Sequence, residues 1–142
     1  MSTFTRRAFV AALASIPWLA RADDVAGARA AAAAFRRAVS NQRYDEAYEL
    51  LSDLYKEKTN TSKATFVRNM RNGRATVGEP KSAADLAYAV AENDPVTGYK
   101  GKMYSFDYKA VYEKGAFFER MVIINESGRY RIGGLWSNPA PL

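Results

Sequence analysis

The sequence predicts an α+β fold: about three N-terminal helices packed on one face of a curved, four-stranded antiparallel sheet. Two observations carry this prediction. Apolar residues recur at helical spacing as far as about residue 72, then at the two-residue spacing of strands from residue 86 onward. The strand-like segments are separated by short turn signals with no helix-length crossover between them, so neighbouring strands run antiparallel. Helices segregated from an antiparallel meander bury one face of the sheet and leave the other to solvent.

The first segment, residues 1–22, reads as a cleavable export signal and not as part of the fold. Thr5-Arg6-Arg7-Ala8-Phe9-Val10 opens a moderately apolar run to Ala20, and Ala20-Arg21-Ala22 forms an A-x-A cleavage site before Asp23-Asp24. The Arg6-Arg7 pair, Phe9 and Val10 after it, the Ala-rich run broken by Pro17, and Arg21 near the cleavage site favour the twin-arginine route over the Sec route. The apolar run of about 12 residues is shorter than the roughly 20 that span a bilayer, so no stable membrane anchor is expected. The expected address is the periplasm, with the export machinery as the signal's partner. Residues 23–142 then form one domain with a single core.

Charge and composition narrow the chemistry. The formal net charge is +6, but Arg6, Arg7 and Arg21 leave with the signal, so 18 basic residues face 15 acidic ones and the mature net charge is +3. That is too weak to indicate a polyanionic partner. There is no Cys, which excludes disulfides, thiolate metal sites, thiol nucleophiles and a lipid-modified Cys after the cleavage site. There is no His, which removes the commonest general base and transition-metal ligand. No cofactor motif appears, and catalysis would fall to Asp, Glu, Lys, Tyr or Arg.

The helices follow in order. Asp24 to Ser40 is Ala-rich without Pro, with Asp23 or Asp24 available as the N-cap. Phe35 and Val39 share a face with Ala28 and Ala32, and the alanines permit close approach of another element. Tyr44 to about Lys56 carries a broad apolar stripe of Tyr44, Ala47, Tyr48, Leu51, Leu54 and Tyr55, which predicts one continuous second helix. Thr61 or Ser62 caps a third helix over about Lys63–Asn72, with Gly73 suited to its C-cap.

The strands begin after Pro80. Leu86, Tyr88 and Val90 alternate with Ala87, Ala89 and Ala91. Next, Tyr104, Phe106, Tyr108, Ala110 and Tyr112 point one way while Ser105, Asp107, Lys109 and Glu113 point the other. Lys114-Gly115 turns the chain into Ala116–Asn125, where Phe117, Met121 and Ile123 alternate with Phe118, Val122 and Ile124. Ser127-Gly128 turns it again into Tyr130-Arg131-Ile132 and on to Trp136, and Gly133-Gly134 marks a bulge or sharp bend.

This order of elements resembles the cystatin-like and nuclear-transport-factor-two-like cone folds. Within them the chain is similar to the exported bacterial family called domain of unknown function 4019. The likeness is carried by Tyr44 to Tyr48, Arg74-Ala75-Thr76-Val77-Gly78, Tyr104-x-Phe106-x-Tyr108 with Tyr112, Glu119, and Gly128-x-Tyr130-Arg131-Ile132-x-Gly134. It spans residues 25–136. Tyr48 and Tyr130 stand where that family usually has Trp, and Glu79-Pro80-Lys81-Ser82 lacks an Arg often found there. The resemblance implies a fold and export, and no activity.

Three sets of residues are candidate sites. Tyr104, Tyr108 and Tyr112, with Tyr88 on the neighbouring strand and Trp136 on the last, form a candidate ligand-binding row; the alternative makes the tyrosines the sheet's core face, with hydroxyls at the rim. Lys63, Arg68, Arg71 and Arg74 form a candidate basic patch for an anionic or acidic partner; the alternative is a solvated helix face, or Arg74 tying elements together through carbonyls or a carboxylate. Asp107 and Glu119 are carboxylates on long strands, but Asp107 points away from the tyrosine face and a solvated cross-strand ion pair is the expectation. No nucleic-acid partner is expected, because no such motif appears and the aromatics do not interleave with the basic cluster.

The leading expectation is a non-enzymatic periplasmic domain that binds a small molecule or a protein partner. The alternatives are an isomerase- or hydratase-type enzyme of the cone folds using Tyr and Asp or Glu, and an envelope protein that self-associates, as a homodimer, through its sheet. Replacing Arg6-Arg7 with Lys-Lys is expected to abolish export, read as loss of the mature form from the periplasmic fraction. An unchanged periplasmic yield refutes the twin-arginine route.

Overall fold

A computed structural model describes residues 16–142, so the Arg6-Arg7 signal lies outside the described residues. Its first element, α1 (Ile16–Ser40), is longer than the sequence predicts. The helix runs through Asp23 and Asp24, which therefore do not cap it, and through Ala20 and Ala22. The run is dominated by alanine, the strongest helix former, so nothing local stops the helix at residue 24. Asp24 is committed elsewhere: its carboxylate accepts a hydrogen bond from the Tyr130 hydroxyl at 3.1 Å.

The predicted second helix is broken into α2 (Tyr44–Glu49) and α3 (Asp53–Thr59). The apolar stripe from Tyr44 to Tyr55 is continuous, but the backbone at Leu50–Ser52 is recruited by the last strand. The Ile132 N–H donates to the Leu50 carbonyl and the Ser52 N–H donates to the Ile132 carbonyl, both at 2.9 Å. Leu51 is thereby driven into the core, and the buried Ser52 caps α3, its hydroxyl accepting from the Tyr55 N–H at 2.9 Å. Glu126 completes the cap from afar, accepting from the N–H groups of Asp53 and Leu54 at 2.9 and 3.3 Å. A carboxylate there also complements the positive end of the helix.

Helix α4 (Lys63–Val77) starts at the predicted cap Ser62 but passes the expected stop at Gly73. Gly73 is exposed and remains helical, and the helix ends instead at Gly78, whose φ of +80° suits glycine. Four helices are therefore present among the described residues where about three were predicted.

The sheet holds β1 (Pro80–Glu92), β2 (Lys102–Tyr112), β3 (Gly115–Glu126) and β4 (Arg129–Ala140) in the order β1-β2-β3-β4, antiparallel throughout. Tyr112 pairs with Gly115 across a two-residue turn, and Ser127 and Gly128 both take positive φ (54° and 82°), as a tight hairpin matched to strand twist requires. The predicted alternation in β2 and β3 is observed. Tyr104, Phe106, Tyr108, Met121 and Ile123 are buried against the helices, with Phe35 and Phe66 from α1 and α4 and Ile132 from β4.

Two of the sheet's three register shifts re-aim side chains. Gly133 is the extra residue where the β3–β4 register shifts, as Gly133-Gly134 predicted. In β1 a second shift between Asp85 and Ala87 breaks the predicted alternation. Asp85 opposes Tyr108 on the helix side, and Tyr88 and Val90 return to that side opposite Phe106 and Tyr104. Leu86, expected to share a face with Tyr88 and Val90, instead joins Ser105, Asp107 and Val122 on the outer face.

Ser52→Ala is expected to cost about 1–2 kcal/mol, because it removes a buried cap at the point where the helices meet β4. Urea unfolding measures this, and an unchanged midpoint shows that the cap contributes nothing.

Candidate functional site

Helix α1 crosses β2, β3 and β4, and α4 packs beside α2, so the strand ends near Pro80–Ala83 and Ala110–Tyr112 are left uncovered. The result is a cleft of about 720 Å³ between α1, α4 and the sheet. Its walls are mainly apolar, with Phe35 and Val39 from α1, Met70 and Val77 from α4, and Phe117 and Leu135 from the sheet. A volume of this size with apolar walls and a few fixed polar groups is typical of small-molecule sites.

The inner polar groups, in contact with one another, are Arg36, Tyr112 and Glu119. The Tyr112 hydroxyl donates to Glu119 Oε1 at 2.6 Å, and Arg36 Nη1 lies 3.5 Å from Glu119 Oε2. The two charged side chains keep only 23 % and 22 % of their exposure. At 3.5 Å the contact is an ion pair without a good hydrogen bond, and Arg36 Nη1 is buried without donating one to any protein group. The guanidinium also lies 4.3 Å above the Tyr108 ring. Burial, reinforced by the hydrogen bond to Glu119 and its negative charge, pushes the Tyr112 phenol well above the ordinary tyrosine range, so its proton stays in place.

Of the predicted ligand-binding row, Tyr112 lines the cleft and Trp136 reaches its rim. Tyr104 and Tyr108 are buried in the core. Tyr88 is on the helix side of the exposed edge strand, its ring 6.4 Å from Phe106 and Arg29 stacked over it. Trp136 lies on the outer face, against Gly134.

The predicted basic patch divides. Arg74 faces the cleft and donates to the Ser40 carbonyl at 3.2 Å, tying α4 to the C-terminus of α1 as a guanidinium does well. Lys63 is paired with Glu49 at 2.6 Å over Tyr48. Arg68 and Arg71 are exposed on the outer side of α4.

Asp107 and Glu119 are on opposite faces of the sheet. Asp107 accepts from Arg120 Nε and Nη2 at 2.6 and 2.9 Å in a cross-strand pair, and that pairing holds its carboxyl below the usual range. The outer face around this pair forms a second cleft and exposes Leu86, Phe118 and Trp136 by 54, 45 and 56 %.

Sequence reasoning did not bring Arg36 to the site, nor pair Tyr112 with Glu119. A signal existed for Glu119: it occupies an inward-facing position between Phe117 and Met121, where a lone carboxylate needs a partner. Among the described residues no three acidic side chains gather as a metal site requires, and no helix is long and apolar enough to cross a membrane. No family model, curated protein or solved structure matches this chain.

Because its folded-state pKa is raised, Tyr112 contributes stability that is present below about pH 10 and is lost as pH rises further, where the unfolded chain releases the proton first. Tyr130, pushed up to about 12 by burial and by Asp24, acts in the same sense. Tyr112→Phe is expected to cost about 1 kcal/mol at neutral pH and to make the alkaline loss of stability shallower. Unfolding titrations between about pH 8 and 12 check this, and an unchanged slope refutes it.

Proposed function

We propose that this chain is an exported periplasmic domain of non-enzymatic role that holds a small molecule in the cleft between α1, α4 and the sheet. The observation that carries this reading is the cleft itself: about 720 Å³, apolar on most sides, with the polar groups of Arg36, Tyr112 and Glu119 fixed within it. Export rests on Arg6-Arg7 and on Ala20-Arg21-Ala22. The cone fold and the likeness to the domain-of-unknown-function 4019 family are part of the same proposal, supported by helices on one face of an antiparallel meander.

The polar groups suit holding better than turnover. Glu119 is already paired with Arg36 and already accepts the Tyr112 proton, so neither group is poised to exchange a proton with a substrate. The contact between Tyr112 and Glu119 nonetheless favours a second reading, a cone-fold isomerase or hydratase. Chemical conversion of a cleft-bound molecule that stops in Glu119→Gln would establish it. The exposed Leu86, Phe118 and Trp136 favour self-association through the outer face, and a monomer by light scattering removes that alternative.

Ala83 lines the cleft from exposed β1, outside the core, so Ala83→Trp fills the cleft without disturbing the fold. The mature protein is expected to bind a neutral solvatochromic dye such as Nile red, and Ala83→Trp to weaken that binding at least about tenfold. Equal binding by parent and variant sinks the reading.

A further inference from the structure

We propose that the cleft selects an amphipathic anion, an apolar body ending in a negatively charged head, over neutral and cationic molecules of the same size. The proposal rests on the cleft-binding reading above and adds the chemical class of the ligand.

The charges that line the cleft are lopsided. Arg36, Arg37, Arg74, Lys81 and Arg120 line it, against the single carboxylate of Glu119. Arg36 and Glu119 neutralise one another, and Arg120 is held by Asp107 on the outer face. That leaves Arg37, Arg74 and Lys81, none of which has an ion-pair partner among the described residues. They come from α1, α4 and β1, the three elements that converge on the cleft. The nearest acidic pair along the chain, Glu79 and Glu113, belongs to the β1 start and the β2–β3 turn and is not part of the lining. There the Glu113 carboxylate accepts the Glu79 N–H at 2.7 Å.

A second, independent observation lies deeper. Arg36 Nη1 is buried and donates to no protein acceptor, although its guanidinium is fixed by Tyr108 and Glu119. A buried donor without an acceptor is costly, so the Arg36 guanidinium, which lines the cleft, gains from a small side-chain shift that brings a ligand oxygen within reach of Nη1. Beside it Tyr112 keeps its proton and donates a hydrogen bond to Glu119, so it adds no charge that opposes an incoming anion. Phe35, Val39, Met70 and Phe117 offer the ligand's body an apolar wall, while the free cations attract its head.

The test displaces Nile red from the full mature protein with four ten-carbon competitors: decanoate, decyl phosphate, decanol and decylammonium. Decanoate is expected to displace the dye at about tenfold lower concentration than decanol, with decylammonium weakest, and this preference is expected to shrink as salt screens the cations. Arg36→Met strands a largely buried carboxylate, so the variants are Lys81→Gln and Arg37→Gln, both exposed and outside the core. Each is expected to weaken decanoate severalfold and leave decanol unchanged. Equal displacement by decanoate and decanol in a protein that binds the dye overturns the anion preference and leaves the cleft reading intact. Decyl phosphate is expected to compete at least as well as decanoate, and decyl phosphate weaker than decanol overturns the anion preference. Failure to bind any of these molecules, dye included, overturns the cleft reading as well.

Discussion

Helix α1 can lie close against the sheet because much of its contact face is alanine, set around Phe35. Ala28, Ala32 and Ala38 are fully buried, and a Cβ on Gly27 would come within 2.6 Å of the Tyr130 ring. The close approach lets aromatic rings of β2 and β4 fill the space that larger helix residues would occupy, at the near-crystalline density of protein interiors. Two arginines bracket the contact two helical turns apart. Arg29 lies over Phe106 and Tyr88 and pairs with Asp85, while Arg36 lies over Tyr108 and pairs with Glu119. Each covers a ring with its guanidinium plane and satisfies a carboxylate on the same side of the sheet. The helix is thus seated by its alanines and oriented by its arginines.

The cleft is a consequence of that seating. The contacts of α1 are with β2, β3 and β4, and the cleft opens where β1 begins and β2 ends. Helix α4 closes the far side, held to α1 by the bond from Arg74 to Ser40. The Arg36–Glu119 contact lies at the junction between packed core and open cleft. The same two residues therefore orient the helix and supply the cleft with its inner polar groups.

The two sheet edges are treated differently. The edge of β4 is clipped at Ile132 by the Leu50–Ser52 backbone, which breaks the second helix to do so. β1 has its main contacts with β2 alone, and its residues are exposed along most of their length. Pro80 at its start, Lys81 and the bulge at Asp85–Ala87 are devices that discourage pairing with another strand. The bulge also moves Leu86 to the outer face, where with Phe118 and Trp136 it leaves that side unusually apolar.

Local rules were enough to read the class of the fold, the strand turns, the Gly133 bulge and the inward face of Tyr104, Phe106 and Tyr108, because period and turn chemistry are written within a few residues of where they act. They were not enough for the helix breaks. An unbroken apolar stripe from Tyr44 to Tyr55 and a helix-tolerated Gly73 look the same until β4 recruits Leu50 and Ser52 and Gly78 supplies the stop. The candidate site was half visible: Tyr112 and Glu119 were each singled out, one in a ligand-binding row and the other as a strand carboxylate, but not as partners. Arg36, seventy-six residues from Tyr112 and eighty-three from Glu119 in sequence, reached them through the packing of α1. Short-range stereochemistry settled which elements form and which side of each strand is wet. The convergence of one arginine, one phenol and one carboxylate came from three-dimensional packing, because no local preference of any one of those residues encodes the position of the other two.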